Sequence, residues 1–254
     1  MKRQTTPYRR PAPELSGETC AMLLAAIMLL AVAARIAAAF VLKHPLDSDP
    51  LAYFTMAQGL AERGELLDIY GQHAFYSAGY PLVLTPFFAL LGSSVPVALG
   101  VNLALGVISI VLIYKLTLAL SGNRWAGLLA ALFYALWFPG IWNATMLAKE
   151  NLSTPLLIGL ALCAVRIARD ERPISAALVA GLLWGASLVT GGSTLLLCAG
   201  VGIALLMLWR TRGAFRPAFA GGLAFIAGAA LIVGPWLHAT DKMVGRPILT
   251  TNAA

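Results

Sequence analysis

The chain has 254 residues, 59% of them hydrophobic and only 11% charged, with a formal net charge of +7; its mean hydropathy is +0.81. A soluble domain carries about 25% charged residues, so an ordinary soluble globule is excluded and a polytopic membrane protein is indicated. Cys20, Cys163 and Cys198 all lie in apolar runs, with no Cys or His at metal-ligand spacing, which reads as buried thiols and no disulfide framework.

Residues 1–19 are polar and Pro-rich and carry Lys2, Arg3, Arg9 and Arg10, as expected of a cytoplasmic tail. Residues 20–254 read as one transmembrane domain. Residues 20–42 form an apolar run of 23 residues. A helix of that length rises about 1.5 Å per residue and crosses a hydrocarbon core of about 30 Å. A cleaved signal peptide has an apolar region of only about 7–15 residues, so the run reads as a membrane anchor. Arg35 sits inside it. A charge at that depth either snorkels to the outer face or pairs with an acid or a phosphate.

The first outer loop, residues 43–81, is the longest polar interval. It holds Asp47, Asp49, Glu62, Glu65 and Asp68, five of the eleven acids. Asp49-Pro50 predicts a helix start, with Asp as cap and Pro at the first helical position. Leu51, Tyr53, Phe54, Ala57, Leu60 and Ala61 then form an apolar face opposite Thr55, Gln58 and Glu62. Such a short amphipathic helix is expected to lie in the membrane interface. Residues 80–91 form an apolar segment of twelve residues, too short for a full span and better suited to lying beside the membrane.

Further apolar runs at 95–120, 125–142, 152–167, 174–189, 194–209 and 218–236 bring the expectation to about seven spans. The fold class is therefore an all-α polytopic membrane protein with interfacial helices in its first extracytoplasmic loop. Charge sets the orientation. With the N-terminus cytoplasmic, twelve Lys and Arg fall inside and five outside, as the positive-inside rule requires. The positive balance is thus an orientation signal, and a nucleic-acid partner is excluded. Seven acids fall outside and four inside. An outer face rich in carboxylates suits a cation site or general-base chemistry at the membrane surface.

Two carboxylates stand out. Asp49 is locally a helix cap, and with Asp47 it forms an Asp-x-Asp pair whose oxygens suit a divalent cation. Glu150 stands behind Lys149 at the outer end of a membrane helix, where the helix dipole favours an acid. A functional reading faces Glu150 into the same cavity as Asp49 and leaves Lys149 to bind an anion. His73, Tyr76 and Tyr80 are placed to contact a sugar or a phosphate. Asn102 within a span reads as a helix–helix hydrogen bond, and the glycines of 181–192 and 221–234 as sites of close helix packing.

Taken in order, several segments resemble the GT-C membrane glycosyltransferases of the protein-mannosyltransferase-like and aminoarabinose-transferase-like kind. They are Asp49-Pro-Leu-Ala-Tyr53, Ala78-Gly79-Tyr80-Pro81-Leu82, Asn102, Ile113-Tyr114-Lys115-Leu116, Phe138-Pro139, Leu147-Ala148-Lys149-Glu150 and Pro235-Trp236. The resemblance implies transfer of a sugar from a polyprenyl-phosphate-linked donor to a lipid, glycan or protein acceptor on the outer face, with inversion at the anomeric carbon. It implies Asp49 as the first-loop base and Glu150 as the acid of the second outer loop. Asp47, Tyr53, His73, Tyr80, Lys149 and Arg35 are then the expected substrate-binding residues, with Lys149 and Arg35 the cations available to a leaving lipid phosphate. The expected location is a bacterial inner membrane. Three departures stand out. Relatives often carry a basic residue where this chain has Tyr76-Ser77, an Arg at the 190–192 turn, and an Arg-Asn pair where this chain has Leu237-His238-Ala239-Thr240. They leave a second reading open, a non-catalytic relative that binds a lipid-linked sugar or acts as a membrane scaffold. The chain also reads as the N-terminal portion of a longer protein.

Overall fold

A computed structural model describes residues 15–191 and 196–249. The expected tail at 1–14 and the end at 250–254 lie outside the described residues, as do residues 192–195, which include the start of the expected 194–209 span. Among the described residues the secondary structure is helical: α1 (Gly17–Val41), α2 (Ser48–Arg63), α3 (Gly79–Leu91), α4 (Val95–Ser121), α5 (Arg124–Ala135), α6 (Phe138–Ala144), α7 (Glu150–Ala168), α8 (Pro173–Thr190), α9 (Cys198–Arg212) and α10 (Phe215–Val244).

Five of these helices, α1, α4, α7, α8 and α10, are long and apolar enough to cross a membrane. The pair α5 and α6 makes a sixth span if taken together, and it is bent by 54°. Five or six spans are thus supported among the described residues, and the expected seven are not confirmed. The 125–142 run is broken because Pro139 lacks the N–H that would continue the helix from α5. Helix α9, which overlaps the 194–209 run, has 15 residues among those described. At about 1.5 Å per residue it is short of a core of about 30 Å.

Local chemistry sets the helix ends. Ser16 caps α1 by accepting the Thr19 N–H at 3.1 Å, and Asn123 caps α5 by accepting the Trp125 N–H at 2.8 Å. Helix α2 corrects the sequence expectation. Ser48, with φ of 46°, is already in the helix, so Asp47 occupies the cap position and Asp49 falls in the first turn. The Asp47 side chain makes no capping hydrogen bond. Asp49 is thereby released from the structural role its sequence context suggested, and its charge sits at the positive end of the helix dipole. Gly64 ends α2 in the left-handed region at φ 73°, where its missing Cβ avoids strain.

The short helices α2 and α3 are joined to the spans by one core. Tyr53 and Ala57 of α2 and Tyr80, Leu84 and Phe88 of α3 pack with Ala98 and Val101 of α4, and with Leu147 and Leu152 around the start of α7. A second cluster sets Met56, Leu66, Ala74 and Ala78 of the outer loop against Val189 of α8 and Trp236 of α10. At the other end, α8 and α10 run together at small residues. A Cβ on Gly181 would strike the Phe225 carbonyl, and one on Gly228 the Leu178 carbonyl. These glycines permit close helix packing, as the sequence suggested.

This contact sets a stability test. Gly181→Val is expected to destabilise the protein by about 1–3 kcal/mol, because backbone must move to admit the side chain. Gly222→Val, where an added Cβ meets nothing within 4 Å, is expected to leave thermal unfolding in detergent unchanged. Equal midpoints for the two variants would contradict the packing described.

Candidate functional site

The site begins with an amide that must be satisfied away from water. Asn102 in α4 is fully buried. In hydrocarbon surroundings every polar group needs an internal partner. The Asn102 carbonyl accepts the Tyr80 hydroxyl at 2.7 Å. Its amide donates to the Met146 carbonyl at 2.9 Å. One side chain thus ties the start of α3 and the body of α4 to the turn before α7. That turn is fixed from two further sides. Asn151 donates to the carbonyls of Asn143 at 2.8 Å and Ala148 at 3.1 Å. His44 bonds Thr145 at 2.9 Å through Nε2 and packs edge-on against Trp142. Lys149 and Glu150 are presented from this braced turn.

Helix α2 reaches the same place through Tyr53. Its ring lies edge-on to Tyr80, with centroids 5.7 Å apart, and edge-on to Tyr76 at 6.0 Å. Asp49 precedes Tyr53 by four residues, so the two share one face of the helix. The Tyr53 hydroxyl is pushed well above the ordinary phenol range by burial and then by the negative charges of Asp49 and Glu150, with a further contribution from Tyr76. Two carboxylates far apart in sequence therefore bear on one phenol. Tyr76 is also raised, by burial and then by Asp49, Tyr70 and Asp68. Tyr80 is raised by burial, against the opposing effect of its Asn102 bond. Asp49 and Glu150 themselves are exposed.

The other landmarks close around this face. Gly79 packs so tightly on the end of α8 that an added Cβ would strike Thr190. A Cβ on Gly191 would lie 3.9 Å from Lys149 Nζ, which places the Lys149 ammonium beside the 190–191 turn. Trp236 meets the outer loop from α10 and donates its indole N–H to the Leu249 carbonyl at 3.0 Å.

The remaining expected site residues stand apart. His73 bonds the Leu66 carbonyl at 2.9 Å through Nδ1 and is tied to its own loop. Asp47 is exposed, and among the described residues no group of three His, Cys, Asp or Glu gathers to hold a metal. Arg35 neither snorkels nor pairs with an acid among the described residues. It is 3% exposed, so it does not snorkel. Its hydrogen bonds go to carbonyls, with Nη1 donating to Ala31 at 3.2 Å and to Ala135 at 3.1 Å. The Ala135 carbonyl is free because its helical donor would be the nitrogen of Pro139, which has no hydrogen.

The structure also adds residues that sequence reasoning passed over. Tyr134, Trp137, Asn143, Asn151 and Thr154 line a cavity of about 170 Å³ together with Glu150. Aromatic faces, amides, a hydroxyl and a carboxylate suit a polyhydroxylated ligand. The signal for this cavity was Phe138-Pro139 in the 125–142 run, since the break opens the space beside Glu150. Asp49 is not part of this lining, and the two carboxylates are related through Tyr53.

A family profile described as dolichyl-phosphate-mannose-protein mannosyltransferase matches residues 78–237, more than half of the chain. The match runs from the start of α3 to just beyond Trp236 and includes Asn102, Lys149 and Glu150. No individual curated protein matches the chain.

The Tyr80–Asn102 bond yields a direct prediction. Tyr80→Phe leaves the buried Asn102 carbonyl short of a donor and is expected to cost about 1–3 kcal/mol of stability. Adding Asn102→Leu is expected to cost less than the sum of the two single changes, a coupling of about 0.5–3 kcal/mol in a double-mutant cycle. Strict additivity would show that the bond does not carry this junction.

Proposed function

Because the chain belongs to the dolichyl-phosphate-mannose-protein mannosyltransferase family, a family of GT-C membrane glycosyltransferases, we propose that it moves a sugar from a polyprenyl-phosphate-linked donor to an acceptor on the outer face of the membrane. The observation that carries this reading is that the segments bearing Asp49 and Glu150 pack into one core with Tyr53, Leu147 and Leu152, while both carboxylates stay exposed. The proposed location is a bacterial inner membrane with the N-terminus cytoplasmic, supported by the distribution of Lys and Arg.

In this mechanism Asp49 takes the proton from an acceptor hydroxyl or amine as its lone pair attacks the anomeric carbon. The bond from that carbon to the phosphate oxygen breaks on the opposite face, and the configuration inverts. The electron pair leaves with the lipid phosphate, whose developing charge is met by Lys149 and Arg35. Glu150 orients the acceptor from the polar cavity it lines. Tyr53 serves as a substrate-binding side chain and Asp47 as a helper to Asp49, whereas Tyr80 is fully buried with its hydroxyl on Asn102 and His73 is tied to its own loop. Tyr53 stays protonated beside two carboxylates and therefore acts as a hydrogen-bond donor.

Neutralising the base while keeping its shape tests the proposal. Asp49→Asn, expressed and folded normally, is expected to lower transfer by about 10²–10⁴-fold, the usual contribution of a positioned base. Glu150→Gln is expected to lower it as well, chiefly through the acceptor KM. Undiminished transfer in Asp49→Asn would remove it from the mechanism. A wild-type protein that binds a lipid-linked sugar and never turns it over would favour the non-catalytic reading, which the absence of a basic residue at Tyr76-Ser77 supports.

Orientation has a separate test. A cysteine replacing Glu150 is expected to react with an impermeant thiol reagent added outside intact cells. Reaction only after membrane disruption would place Glu150 on the inner side and overturn the outer-face assignment.

A further inference from the structure

The end of the molecule opposite Glu150 carries charges that the fold does not pair. Helix α7 starts at Glu150 and rises about 24 Å before it reaches Arg166. Beyond Ala168 the chain turns into α8 through a strained loop. Asp170 and Arg172 both take left-handed backbone, at φ 64° and 50°, where glycine would be free of strain. Two hydrogen bonds hold the turn. The Glu171 N–H donates to the Arg166 carbonyl at 2.9 Å, and the Asp170 N–H to the Ile167 carbonyl at 3.0 Å. This path brings the side chains of Arg166, Glu171 and Arg172 to one cavity. All three residues are exposed, and among the described residues none of them forms an ion pair.

The cavity has a volume of about 330 Å³ and is amphipathic along the helix axes. Arg166, Glu171, Arg172 and Ser175 line one end, and Cys163 and Val179 line the other. Cys163 lies about one turn of α7 deeper than Arg166. Val179 lies about 10 Å deeper along α8 than Arg172. Both helices are long and apolar enough to span a membrane. The charged end therefore sits at a membrane surface, and the Val179 end at the level of the hydrocarbon. Ile174 and Val179 are exposed, so the cavity opens sideways to lipid. It shares no lining residue with the cavity of Glu150.

We infer that this cavity binds a phosphatidylethanolamine from the leaflet opposite Glu150, with its phosphodiester on Arg166 and Arg172 and its ammonium on Glu171. Guanidinium forks match phosphate oxygens. Basic pockets between spanning helices at a membrane surface suit phospholipid headgroups. An acyl chain then follows the apolar wall past Val179. Glu171 decides which headgroup fits. Its charge opposes a headgroup that is only anionic, such as phosphatidylglycerol, and attracts one that also carries an ammonium. The bound lipid is a resident of the α7–α8 junction and takes no part in group transfer. The inference stands whether or not Asp49 and Glu150 act on a sugar.

Native mass spectrometry of the purified full chain in detergent tests this site, with phosphatidylethanolamine, phosphatidylglycerol and inorganic phosphate as probes. The wild type is expected to bind phosphatidylethanolamine about threefold to fivefold more tightly than phosphatidylglycerol, the range of a solvent-exposed ion pair. Glu171→Gln is expected to erase that preference. Arg166→Gln combined with Arg172→Gln is expected to weaken both lipids by about tenfold. Ser175→Phe fills the cavity from an exposed position and leaves the charges in place. It is expected to weaken both lipids together. A photoactivatable phosphatidylethanolamine tests the site on the unaltered chain, where it is expected to label residues 163–179. A wild type that does not prefer phosphatidylethanolamine would overturn the inference. So would a preference retained in Glu171→Gln, wild-type affinity in the double arginine variant or in Ser175→Phe, or labelling confined to other segments. Displacement of the lipid by equimolar inorganic phosphate would show a plain anion site and would overturn it as well.

Discussion

The hydrogen bonds of Asn102 are the constraint on which the outer half of this molecule depends. An amide with no exposure to solvent has to find partners inside the protein, and those available are the Tyr80 hydroxyl and the Met146 carbonyl. Satisfying it brings the first outer loop and the second to one point on α4. The packing of Tyr53 on Tyr80 then follows, and with it the approach of Asp49 toward the helix that starts at Glu150. The same small region is closed by Thr190 against Gly79 and by Trp236 against the loop. The segments that carry Asp49 and Glu150 are thereby packed into one core.

Proline placement explains much of what the helices do around this point. Pro139 ends one helix and begins the next at a bend of 54°. The break frees the Ala135 carbonyl for Arg35 and opens the polar cavity beside Glu150. Arg35 therefore rests where a backbone group would otherwise lack a donor. A basic residue within an apolar run commonly signals snorkelling. Here the broken neighbour provides an internal alternative.

Much of the fold was legible in the sequence, and for plain reasons. Long apolar runs can only be helices in a bilayer, and the apolar faces of α2 and α3 were visible as periodicity and as a run too short to span. Asp49 and Glu150 stood out because carboxylates are rare in this chain. The capping role of Asp49 was misread because its local pattern does not reveal that Ser48 turns left-handed and starts the helix earlier. Hydropathy sees the 125–142 run as continuous, whereas Pro139 divides it into a pair bent by 54°. Tyr134, Trp137 and Asn151 were passed over because their meeting with Glu150 depends on that bend, a property of the backbone path.

The central claim is that Asp49 and Glu150 act on one face, related through Tyr53. It is tested most directly by placing a fluorinated tyrosine at position 53, whose lower intrinsic pKa brings its titration into the accessible range. The titration is then followed spectroscopically in the wild type, in Asp49→Asn and in Glu150→Gln. Both carboxylates raise this phenol through their negative charge, so each substitution alone is predicted to lower the pKa, and the double substitution to lower it further. A pKa that responds to Asp49 and ignores Glu150 would mean that the two loops do not meet at Tyr53, and the assembled site described here would be contradicted.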